Sequence, residues 1–191
     1  MAILSKRLFT DIGREYQKRF QLKPGLLDLS GKITGVPDPV GILSSIRRKR
    51  AYALQESINT GESFVFYPVP SVASWIVAME DRRMIHGGLI CGEVRVSERQ
   101  GQDGETARYL LGHGMTHGQS DAYLGSLQTW NEGRVIEAAK ALKSDFYAMS
   151  GWKPVILDEN RLRALQQEQI SQAIEDHRRS GKLALYARQK E

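Results

Sequence analysis

Between Ser63 and Val96 apolar residues alternate with small or polar ones at a period of two, the spacing of β-strands. Three strands are predicted there. Phe64 and Phe66 face away from Val65 and Tyr67, and Pro68 and Pro70 end the ladder. Trp75, Val77 and Met79 then alternate with Ser74, Ile76 and Ala78, a segment apolar enough to be covered on both faces. The chain returns through Met84, His86, Gly88, Ile90, Gly92, Val94 and Val96 on one face and Ile85, Leu89, Cys91 and Glu93 on the other. The link between these two strands, Glu80-Asp81-Arg82-Arg83, is entirely charged, so a hairpin turn in water is predicted.

Outside this stretch the period changes to that of helices. Leu4, Leu8, Ile12, Tyr16 and Phe20 form a stripe over residues 3–21. After Lys23-Pro24-Gly25, the piece from Leu26 to Thr34 suits a strand broken by a turn at Ser30-Gly31, and Gly35 to Pro39 is a loop. A helix over about 40–59, with Ile42, Leu43, Ile46, Ala53, Leu54 and Ile58 inward, is capped by Thr60-Gly61. Short helices are predicted over 105–111 and 120–127, with the Gly-rich segment from Gly112 to Gly118 as a loop between them. Val135, Ala139, Leu142, Phe146 and Met149 mark a helix packed along its length, stopped at Gly151. A last helix, about 158–180, carries Leu162, Leu165, Gln169, Ala173 and His177 on a thin, polar stripe that suits a connecting or dimerising role.

With 191 residues, 41% of them hydrophobic and 26% charged, the chain can bury a full core. Its single cysteine rules out an internal disulfide framework and a cysteine-based zinc site. A net charge of +5 permits an anionic partner without locating one. The run Arg47-Arg48-Lys49-Arg50 points all round a helix axis, so it reads as a solvated face and not as a DNA contact. No apolar run is long enough to cross a bilayer and the start lacks the pattern of a secretory signal, so a cytoplasmic location and no membrane partner are expected.

The order of elements predicts an α+β fold: an antiparallel sheet of PAS- or GAF-like plan, helices packed on one face, and a long C-terminal connector helix. Residues 1–155 would form the domain and 156–191 the connector. Gly87, Gly88 and Gly92 inside a strand mean that something approaches closely there. One reading is a helix or a β-bulge pressed onto the sheet. The other is a ligand cavity bounded by Tyr67, Trp75, Met79, His86, Gly88 and Cys91.

Ala51 to Val94, AYALQESINTGESFVFYPVPSVASWIVAMEDRRMIHGGLICGEV, resembles the PocR-type sensory domain that precedes AraC-type helix-turn-helix regions in bacterial regulators. The strand from Gly87 to Val94 is similar to that family's Gly-rich closing strand, and RVIEAAKALKSDFYAMSGWKPVILDENRLRALQQ is similar to its helix and connector. The resemblance implies a small-molecule sensory domain of a transcriptional regulator or signalling protein, working as a homodimer. DNA would be reached only through an output domain outside this chain, because no helix-turn-helix follows the connector. The family's pocket often carries several cysteines; here Cys91 stands alone, which sets cysteine-based ligand chemistry aside.

Two other readings stay open. One is a small metal-dependent or acid/base enzyme using His113 or His117 with Glu93, although the glycines around the histidines remove the meaning of their four-residue spacing. The other is a dimerisation module without a ligand, held by the stripes of the two terminal helices. No P-loop, dinucleotide fingerprint or nucleophile elbow is present, and no cofactor is expected.

Overall fold

The computed structural model describes residues 4–41 and 43–188, so Ile42 of the predicted second helix lies outside the described residues. The sheet runs in the order β2 (Ile33–Thr34), β1 (Gly25–Leu27), β5 (Met84–Val96), β4 (Val72–Asp81), β3 (Phe64–Val69), with every one of these pairs antiparallel. A two-residue strand, β6 (Thr129–Trp130), adds parallel to the end of β5. Helices α1 (Lys6–Phe20), α2 (Ser44–Thr60), α3 (Asp103–Gly112), α4 (His117–Ser126), α5 (Glu132–Ser150) and α6 (Val155–Arg188) complete an α+β fold with a long C-terminal helix. Among the described residues no helix is long and apolar enough to cross a membrane.

Local chemistry sets the helix ends. Ser5 caps α1 by accepting from Leu8 N–H, and Asn131 caps α5 by accepting from Arg134 N–H. Thr116 and Gln119 form a capping box that starts α4, so the Gly-rich segment predicted as a loop is mostly helix ends. Gly61 closes α2 in the left-handed region and also sits against α6, where a Cβ would come within 1.9 Å of Leu157 O.

Helices cover both faces of the sheet, not one. On the first face α1 and α5 bury Ile12, Tyr16, Phe20, Leu142 and Phe146 against Trp75, Val77, Met79, Leu89 and Cys91. On the second, α2 and the first turn of α6 bury Ala53, Leu54 and Leu157 against Ile76, Ala78 and Ile90. Every residue of β4 except Asp81 is buried, because both phases of its alternation meet a helix. Ile12, Tyr16 and Phe20 of the α1 stripe are therefore spent on its own sheet. Each fully buried aliphatic or aromatic side chain contributes about 1.5–3 kcal/mol.

Strand β5 departs from simple alternation. Its register against β4 runs Ala78↔Gly88 and then Glu80↔Ile85, and again Ser74↔Gly92 and then Ala73↔Val94, so β5 carries one extra residue at each place. Both are β-bulges, and each uses a left-handed glycine: Gly87 at φ 106° and Gly92 at φ 112°. Each bulge moves the following side chains to the opposite face. Ile85 therefore packs with Ile90, whereas Val94 and Val96 join Leu89 and Cys91, on the face opposite to that which unbroken alternation predicts.

The charged turn is only partly in water. Arg82 and Arg83 are exposed and take positive φ, as a two-residue hairpin loop requires. Glu80, however, is fully buried. Its carboxylate accepts hydrogen bonds from the Ile156 and Leu157 N–H groups, both at 2.8 Å, and so caps α6 from the sheet. Tyr147 on α5 completes the joint: its hydroxyl accepts from Glu80 N–H at 3.0 Å and donates to Ala78 C=O at 2.9 Å.

Candidate functional site

The six residues predicted to bound one cavity do not do so. Trp75 is fully buried, with its indole N–H donating to Tyr16 Oη at 3.0 Å and its ring stacked on Trp130 at 5.8 Å. Met79 lies in the same packed core. Cys91 does too, and burial pushes its thiol pKa up to about 12, so it is no thiolate nucleophile. Tyr67 sits under the Arg99 guanidinium, 3.7 Å from its ring centroid, and His86 packs on Trp152 at 5.1 Å. Gly88 is on the opposite face, where a Cβ would meet Leu54 Cδ1 and Val77 O at 3.0 Å. The strand glycines thus serve two bulges and a packed helix.

A different group of polar residues is enclosed around the second bulge. The inward stripe of α2 runs Ile46, Arg50, Ala53, Leu54, Ser57, which turns Arg50 into the protein with only 1% of its surface exposed. Its two terminal nitrogens donate to the two Asp38 carboxylate oxygens, each at 2.8 Å, and Nη2 also donates to Glu93 Oε1 at 3.1 Å. Pro37 and Pro39 stiffen the backbone around Asp38. Gly41 leaves room for its carboxylate, since a Cβ there would fall 1.8 Å from Asp38 Oδ2.

Glu93 reaches this group because it follows the Gly92 bulge at φ 61°. About a fifth of its side chain is exposed, yet the carboxyl group is enclosed enough that burial raises its pKa; Arg50 pulls the other way and Asp38 adds to the rise. Tyr123, on α4, approaches from the far side and is 5% exposed. Its hydroxyl is buried; burial, then the Glu93 charge and the hydroxyl's hydrogen-bonding interaction with that carboxylate, raise its pKa.

Two openings flank the cluster. Strand β1 pairs with Gly88–Ile90 and β6 with Arg95–Val96, so Cys91–Val94 has no strand on that side. A cavity of about 110 Å³ lies at this gap, lined by Lys23, Val36, Ser74, Cys91, Gly92 and Glu93 among others, so of the six predicted residues Cys91 reaches it. On the other side of Asp38 a cleft of about 800 Å³ runs between the 38–43 segment and α4, with Asp38, Leu43, His113, Met115, Gln119 and Tyr123 in its wall. Glu93 thus lines one opening, Asp38 and Tyr123 line the other, and Arg50 joins them.

The histidines do not assemble a centre. His113 Nδ1 lies 2.7 Å from Tyr109 C=O and its ring stacks on Tyr109, whereas His117 opens α4. Among the described residues no group of three or more His, Cys, Asp or Glu is placed to hold a metal ion. Of the polar residues at the site, Glu93 and His113 are candidates from the sequence. Arg50 carried a usable signal, an arginine four residues after Ile46 and three before Ala53 on an inward stripe. Asp38 and Tyr123 carried none. Comparison with known proteins finds no family model, no curated protein and no solved structure that matches this chain.

Proposed function

We propose that this chain is a small-molecule sensory module of a bacterial regulator or signalling protein, binding its ligand in the cleft beside Arg50, Asp38, Glu93 and Tyr123. The observation that carries the reading is the cleft of about 800 Å³ beside the 38–43 segment, whose wall includes Asp38 and Tyr123 of an enclosed ion cluster. Ligand clefts set a few polar groups among apolar walls, and here Pro39, Leu43, Met115 and Ala122 surround those polar groups. The resemblance to PocR-type domains supports the sensory role, and the Glu80 cap gives the sheet a direct hold on α6. A cytoplasmic setting is part of the proposal, since one unpaired cysteine suits a reducing compartment.

The test is a thermal-shift screen of a small-molecule library on the intact chain and on Ala122→Trp, whose indole would occupy the cleft from an exposed position. A ligand at a hundred times its dissociation constant adds about 2.7 kcal/mol, which for a chain of this size raises the melting temperature by about 5–11 °C. Hits that vanish in the tryptophan variant support the cleft. A library that moves neither protein, or moves both equally, removes it.

A second observation favours self-association through the connector. Leu162, Leu165, Ile170 and Ile174 are all about half exposed along α6. Four large aliphatic side chains left half in water along one helix cost apolar exposure, and a second copy of α6 would cover the stripe. Light scattering on the parent and on an Ile170→Glu, Ile174→Glu variant decides it: a monomeric parent rules the pairing out.

A further inference from the structure

We infer that the cavity at the open edge of β5 binds a short-chain carboxylate, with the acid group on Lys23 and Ser74 and the alkyl chain against Ile33, Val36, Pro37 and Ile90. This site is separate from the cleft and does not depend on it. Pairing with β1 ends at Ile90 and pairing with β6 begins at Arg95, so the cavity occupies an interruption in the sheet itself. Its volume of about 110 Å³ holds several waters or one small molecule.

Two groups in its wall keep hydrogen-bonding capacity that the fold does not use. Ser74 is 2% exposed; its Oγ accepts from Glu93 N–H at 3.2 Å, and its own proton goes to no acceptor among the described residues. A buried hydroxyl rarely keeps its proton unshared. The Lys23 ammonium makes no ion pair and no hydrogen bond among the described residues. Glu93, the acidic residue of the wall, is turned to the ion cluster, where Oε1 accepts from Arg50 and the carboxyl interacts with the Tyr123 hydroxyl. Burial keeps it protonated to higher pH than a free carboxyl, which limits its repulsion of a bound acid.

A carboxylate gives both unused donors an acceptor, and a charge-assisted hydrogen bond is about twice as strong as a neutral one. An amine would set a second cation beside Lys23, and an alcohol would leave the ammonium uncompensated. The aliphatic side chains make up the rest of the wall, which suits a chain of about three or four carbons.

Butyrate, butanol and butylamine separate the classes when titrated into the isotope-labelled intact chain at about pH 6, where butyrate is ionised, and followed by amide chemical shifts. Butyrate is expected to saturate shifts at Val36, Ser74, Gly92 and Glu93 with a Kd of about 1 mM, butanol to bind about ten-fold more weakly, and butylamine not to bind. Lys23→Met, at an exposed position, should weaken butyrate about ten-fold and leave butanol unchanged, and Lys23→Arg should restore most of the affinity. Butanol or butylamine binding as tightly as butyrate overturns the inference, and so does butyrate binding undiminished in Lys23→Met. No saturable shift with butyrate at about 50 mM overturns it as well. Ala122→Trp fills the cleft and leaves the cavity open: butyrate binding lost in that variant places the acid in the cleft and overturns the cavity site, whereas binding retained there supports the cavity whatever the library screen shows for the cleft.

Discussion

Replacing Glu80 by alanine removes the two hydrogen bonds that fasten α6 to the sheet. Leu157 N–H is buried, and losing its acceptor costs about 1–3 kcal/mol. Ile156 N–H is half-buried, so water recovers part of its loss and about 0.5–1.5 kcal/mol is expected. Removing a buried carboxylate returns some of this by relieving its desolvation, which leaves a net of about 1–4 kcal/mol. Glu80→Gln keeps one acceptor oxygen but loses the charge at the helix N-terminus, and should cost about half as much. Urea unfolding supplies the totals, and amide hydrogen exchange supplies their location: protection should fall first in residues 155–161 and in the facing end of α2. An alanine variant within about 0.5 kcal/mol of the parent, or loss of protection spread evenly over the sheet, would refute the cap as the anchor of the connector.

Trp75→Ala, which empties a fully buried site under α1 and α5, should cost about 3–5 kcal/mol in a thermal or urea melt while leaving cleft binding intact in the folded fraction. Gly88→Val should cost about 1–3 kcal/mol by pressing a branched side chain onto Leu54, and a cooperative melt at parental stability would show room that the packing excludes. The pH dependence follows from Glu93, which faces Arg50 on α2, Asp38 in its loop, Tyr123 on α4 and the cavity shared with Lys23. Because its folded pKa is raised, the native state holds the proton to higher pH, so its contribution to stability is full below the ordinary carboxylate value and is lost as pH rises through the folded value. Glu93→Gln should flatten stability against pH in that window; an unchanged profile would show that another group carries the dependence.

Most of the element order was legible because period and caps are local properties. The three central strands, the hairpin around Ser30-Gly31 and helix α5 follow directly from alternation or from the spacing of Val135, Ala139, Leu142 and Phe146. The face assignment of β5 failed before Gly87 and again beyond Gly92, since each bulge shifts the phase by one residue and its cue, a strand glycine, is equally the cue for a cavity or a close helix. Glu80 was assigned to water because its three neighbours are charged, and only the tertiary approach of α6 gives its carboxylate two donors. The site was hardest of all. Asp38, Arg50, Glu93 and Tyr123 come from four elements, and a buried ion cluster leaves no period behind; the misplaced pocket at Trp75 arose because aromatic density marks a packed core as readily as a ligand wall.

The backbone at Glu93 has a consequence for engineering. A residue with a Cβ held at φ 61° stores about 1 kcal/mol that glycine would release. Glu93→Gly would relax the chain and leave Arg50 still bound by both oxygens of Asp38. Selection for thermal robustness alone would therefore push this position toward glycine and away from the carboxylate. Backbone ease and the ion cluster pull in opposite directions at this one residue, so a variant library sorted only by melting temperature would discard the second carboxylate held by Arg50.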